Sequence, residues 1–153
     1  MKLKTTLFVV IVSVCSALAW AGTVVAPQPA STRFAFVDVH IDPQGKPLAA
    51  WQFQFNARAG DVTIASLEGG EHAPYREPAY YDPQALQQQR IIAAAFNTAA
   101  PDDLPKGKTR VARIHLLIVG DVEPRYELTL TTAATADGTQ IAAAASFHEG
   151  IAK

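Results

Sequence analysis

The residues in this chain best equipped for chemistry are four histidines, His40, His72, His115 and His148. Imidazole is the commonest metal ligand and general base in proteins. Their spacing argues against a local site, because no two lie two to five residues apart, as the histidine pairs of zinc motifs do. Asp82 and the pair Asp102-Asp103 offer the hard oxygen ligands that calcium takes, but without the spacing of an EF-hand loop. Ser66 and Ser146 lack the glycine-flanked elbow of a hydrolase nucleophile. Glu68 and Glu71 flank Gly69-Gly70, where they keep a turn soluble, whereas a glycosidase pair needs a cleft between two defined faces. The chain therefore reads as noncatalytic, with no metal and no cofactor.

What remains is recognition. Residues 71–85 carry Tyr75, Arg76, Tyr80 and Tyr81 among Pro74, Pro78 and Pro83, a composition that excludes a continuous helix and predicts a long ordered loop. Tyrosine and arginine supply large contact area with few rotors for a protein partner, and flat tyrosine rings also stack on sugars. Tyr75, Arg76, Tyr80 and Tyr81 are thus the candidate binding residues. The competing reading is that these tyrosines cover the edge of a core.

The elements that position this loop read as strands. Trp51, Phe53 and Phe55 alternate with Gln52, Gln54 and Asn56, which gives one aromatic and one polar face, and Val62, Ile64 and Leu67 follow after Ala59-Gly60, so residues 48–70 read as a hairpin. Upstream, residues 33–41 put Phe34, Phe36, Asp38 and His40 on one side and Ala35, Val37, Val39 and Ile41 on the other. Asp42-Pro43-Gln44-Gly45 is a turn that predicts a hairpin to the Trp51 strand. Residues 90–97 have alanines that favour helix and isoleucines that favour strand, and their short length predicts a buried strand. Ala112, Ile114, Leu116 and Ile118 form the inner face of the next strand, with Arg113 and His115 pointing out. Tyr126, Leu128 and Leu130 repeat the pattern, and Asp137-Gly138 predicts a hairpin turn into residues 139–147. Seven strands joined by turns, without crossover helices, predict an antiparallel β-sandwich.

Targeting and composition narrow the setting. Lys2 and Lys4 precede an apolar run over residues 7–14, and Ala19-Trp20-Ala21 supplies the small residues of a cleavage site before Gly22, so residues 1–21 read as a signal peptide. Residues 22–31, with Pro27 and Pro29, read as an extended leader and residues 32–150 as one domain. The single cysteine, Cys15, leaves with the signal peptide, so the exported domain relies on packing without disulfides. The formal net charge of −1 becomes −3 once Lys2 and Lys4 are removed, with no basic footprint for nucleic acid. The expected location is secreted or periplasmic, without membrane insertion after cleavage.

With its strands in order, the domain resembles the cohesin-like domains of a carbohydrate-binding-like superfamily of jelly-roll sandwiches. The likeness rests on the aromatic strand at residues 48–55, the valine and isoleucine run ending in glycine at residues 61–70, the apolar strand at residues 90–96, and the glycine followed by a small-residue strand at residues 107–118. The resemblance spans residues 32–147 and implies a jelly-roll sandwich of about seven to nine strands that binds another molecule instead of transforming it. In the best-known members one face binds a dockerin partner; no partner-binding residues carry over. The expectation is an exported protein-interaction or structural module of the cell envelope, with carbohydrate binding through the loop tyrosines as the alternative.

Overall fold

The computed structural model describes residues 30–151. The expected signal peptide and nearly all of the expected leader lie outside the described residues. The period-two alternation becomes eight strands: β1 (Thr32–Asp42), β2 (Ala50–Ala59), β3 (Asp61–Gly69), β4 (Tyr80–Tyr81), β5 (Arg90–Phe96), β6 (Thr109–Val119), β7 (Arg125–Ala134) and β8 (Ala144–Ile151). They form two antiparallel four-stranded sheets, one in the order β3-β6-β1-β8 and the other β4-β5-β2-β7. The described residues form an all-β sandwich.

The core lies between the sheets and is built from the faces the alternation marks. Val37, Val39 and Ile41 of β1 and Ile114 and Leu116 of β6 meet Trp51, Phe53 and Phe55 of β2 and Ile91 of β5, all essentially without solvent exposure. The Trp51 and Phe53 rings lie nearly parallel with centroids 5.4 Å apart. Each such side chain contributes about 2 kcal/mol by leaving water, which suits a domain without disulfides.

Connectivity differs from the predicted hairpins. β1 and β2 lie in different sheets, as do β2 and β3. The Asp42 turn forms, with Asp42 Oδ1 accepting from the Gln44 amide at 2.9 Å, but it begins a crossing to the facing sheet. Gly60, at φ 82°, makes the second crossing in the left-handed region that favours glycine. The Asp137-Gly138 turn also forms, closed by an isolated bridge between Ala134 and Gln140, yet β8 starts only at Ala144 and lies in the β1 sheet. Only the β4–β5 connection stays within a sheet.

Candidate functional site

The proline-rich segment between β3 and β5 is more structured than a loop. Two 3-10 turns, Ala73–Tyr75 and Pro83–Ala85, flank β4, whose Tyr80 and Tyr81 pair with Ala94 and Ala93 of β5. Pro74 and Pro83 lie within the first two positions of these turns, where a missing amide costs little.

This geometry separates the four candidate residues. Tyr75 is only 3% exposed: its ring meets Trp51 edge-on at 5.9 Å and its hydroxyl donates to the Leu48 carbonyl at 2.7 Å. Burial pushes its phenol well above the ordinary tyrosine range. Tyr75 is a core residue, and the sequence expectation that it joins a binding surface is corrected accordingly. The half-buried Tyr81 packs against the core, because alternation along β4 turns it inward. Arg76 is exposed on the 3-10 turn. Tyr80 alone of the three tyrosines stands out into solvent, 71% exposed.

Tyr80 has an aromatic neighbour that the sequence reading placed elsewhere. The ring of Phe96, 67% exposed, lies 6.1 Å from it with only 13° between the planes. Phe96 and Ile92, itself 40% exposed, project from the outer face of β5, so that strand is buried on one face only and not throughout as predicted. Directly opposed residues of paired strands share a face. Ala94 stands between Tyr80 and Gln52, and Ile92 faces Gln54. Gln52 donates from Nε2 to the Thr131 hydroxyl at 3.0 Å, and Arg90 donates to Gln54 Oε1 at 2.7 Å. The outer face of the β2 sheet is therefore an apolar centre set among amides, hydroxyls and a guanidinium. A groove lined by Asp82, Gln84, Gln88 and Arg90 adjoins it at Ile92. Such a face can stack, desolvate and hydrogen-bond.

The opposite outer face, on the β1 sheet, gathers the charged residues. Glu68, Arg113, Asp38 and His148 stand in one cross-strand row over β3, β6, β1 and β8. Arg113 donates to both oxygens of Asp38, at 2.7 and 2.8 Å, and its guanidinium carbon sits 4.1 Å from the centre of the Phe36 ring. Burial pushes the Asp38 carboxyl up, but the hydrogen bonds and charge of Arg113, joined by the charges of Arg110 and His40, more than offset it and leave the group below its usual range. His40, His115 and His148 share this face, as alternation predicts for the first two. His115 Nε2 lies 3.0 Å from Glu68 Oε2. Among the described residues no group of three histidine, cysteine or acidic side chains comes together around a potential ion position. Glu71 accepts from the Arg110 amide and the Thr109 hydroxyl, and Asp102 pairs with Lys106 at 2.8 Å. These acidic groups secure loops.

A cleft of about 660 Å³ lies at the end of the sandwich between the β1–β2 and β7–β8 connections, lined by Pro43, Pro47, Pro101, Asp137 and Ile141 among others. Its one carboxylate is committed to the turn, accepting from the Thr135 hydroxyl and the Thr139 amide. Compared with protein-family models, curated proteins and solved structures, the chain matches none.

Proposed function

We propose that the chain is an exported, noncatalytic binding domain of the cell envelope, a jelly-roll sandwich of cohesin-like type, secreted or periplasmic, that engages a protein partner over the outer face of its β2 sheet. The observation that carries this reading is the pair Tyr80 and Phe96, standing well exposed beside Ile92. Large aromatic side chains left in water are costly unless a partner covers them, and hot spots of interfaces are aromatic centres ringed by polar groups that exclude water. Gln52, Gln54, Thr131 and Arg90 provide that ring.

A second reading has its own observation. Tyr80, exposed and stacked against Phe96, offers an aromatic ring face of the kind on which sugar rings stack, and planar amides beside it suit hydroxyl recognition. The carbohydrate alternative thus moves from three loop tyrosines to Tyr80 and Phe96.

The test captures ligands from an envelope extract and screens a glycan array in parallel, with the native protein and with Tyr80→Ala/Phe96→Ala. A protein retained by the former and lost from the latter supports the proposal. Array binding lost in the double variant supports the sugar reading. Retention that is indifferent to both substitutions overturns the site.

A further inference from the structure

The two sides of the sandwich are finished differently. On one side β3 is an edge, but the segment before β5 closes it: the Ile64 amide donates to Gln88, the Gln87 amide donates to Ile64, and the Gly70 amide donates to Tyr75. The neighbouring edge strand β4 is two residues long. Short or covered edges resist further strand pairing. On the other side β7 shifts register twice against β2, and its end is covered where the Ile141 amide donates to Ala133.

β8 has none of these protections. It pairs with β1 without a register shift from Ile151 to Ala144, and among the described residues no hydrogen bond from any other element reaches it. It carries neither proline nor lysine. An open strand of this kind presents a row of unpaired amides and carbonyls, a template for another strand. Apolar side chains line the same seam: Phe147 is 37% exposed and meets Tyr126 edge-on, and half-buried Leu128 and Leu130 of β7 lie beyond.

We propose that β8 is a self-pairing edge, joining two copies of this chain antiparallel into one continuous eight-stranded sheet about a two-fold axis at Phe147. The sequence of β8 accommodates a second copy in this register, which also sets two aromatic rings opposite each other, a favourable cross-strand pair. With the axis at Phe147, that ring faces its own copy, Ser146 faces His148 of the partner subunit, and Glu149 faces Ala145 of the partner subunit, with no like charges opposed. An axis at Glu149 would set two carboxylates against each other, and one at His148 would set two imidazoles together, costs that cross-strand pairing penalises. An isologous pair also consumes both copies of the open edge, so assembly stops at the dimer. This surface is separate from the Tyr80 face, which stays open in the dimer.

The experiment uses the purified protein, with Cys15→Ser wherever residues 1–21 are retained, so that no native thiol competes. Sedimentation should show a concentration-dependent dimer. Phe147→Cys should cross-link under mild oxidation, since opposed Cα atoms in an antiparallel pair lie about 4.5 to 5.5 Å apart, within disulfide reach. Glu149→Cys, two positions off the axis, should not. Phe147→Lys should give a monomer, and Tyr80→Ala/Phe96→Ala should leave the dimer intact whatever it does to ligand retention. A monomer at every concentration, or equal cross-linking at positions 147 and 149, overturns the proposal.

Discussion

Replacing Tyr75 by phenylalanine separates a core tyrosine from a binding tyrosine. The hydroxyl donates to the Leu48 carbonyl at 2.7 Å inside the protein, so Tyr75→Phe removes one buried hydrogen bond and leaves that carbonyl short of a partner. A net bond of this type is worth about 1 kcal/mol, and an orphaned acceptor adds to the loss, so the expected cost is about 1 to 2 kcal/mol. Tyr75→Ala also removes the ring from its edge contact with Trp51 and opens a cavity, raising the cost to about 4 kcal/mol. For a domain of this size the phenylalanine variant should melt about 4 to 8 °C lower. Urea denaturation followed by circular dichroism measures both changes, with the slope unchanged if only the native state is affected. Ligand retention by Tyr75→Phe should equal that of the native protein wherever both are folded. A variant of native stability, or one that keeps its stability and loses its ligand, refutes the placement of Tyr75 in the core.

The charged row on the β1 sheet has a pH signature. The Asp38 carboxyl is held below its usual range, so its contribution is complete above the unfolded-state value near 4 and fades as pH falls through the lower folded value. Asp38→Asn should destabilise the protein by about 3 kcal/mol at neutral pH, because two arginines lose their counter-charge, and the gap to the native protein should narrow in acid melts. A gap that stays constant down to strongly acidic pH would contradict this. At Gly150 an added methyl would lie 2.2 Å from the tip of the Phe36 ring, so Gly150→Ala should cost about 1 to 3 kcal/mol by overpacking. Gly107→Ala, where nothing lies within 4 Å, should change the melting temperature little. Equal melting temperatures for the two variants would show that Phe36 moves aside freely.

Much of the architecture was legible in the sequence because a strand records its inner and outer faces. Trp51, Phe53 and Phe55 declare a core face by alternation alone, and so do Ile114, Leu116 and Ile118. Which sheet a strand joins leaves no such mark. The turns at Asp42 and Gly60 look the same locally whether the chain folds back beside itself or crosses the sandwich, and tertiary packing decides that it crosses. The same limit hid the site. Tyr75 and Tyr80 sit in one proline-rich segment and differ only in what the fold brings to them, Trp51 for one and Phe96 for the other. A signal was available in β5: Ile91 and Ala93 alternate with Ile92 and Ala94, and two apolar faces on one strand leave one to be covered by something else. Reading residues 90–97 as buried throughout took both faces into the core and lost Ile92 and Phe96 from the surface.

Recognition through the outer face of the β2 sheet is the claim on which the functional account stands, and an amide-exchange footprint of the captured complex tests it most directly. Protection should appear along β4, β5 and the Gln52 to Gln54 stretch of β2, and Tyr80→Ala/Phe96→Ala should weaken binding several hundred-fold while melting like the native protein, since each hot-spot aromatic carries about 2 kcal/mol and each ~1.4 kcal/mol is tenfold. Protection confined to the charged face of the β1 sheet, with affinity indifferent to the double substitution, would contradict it.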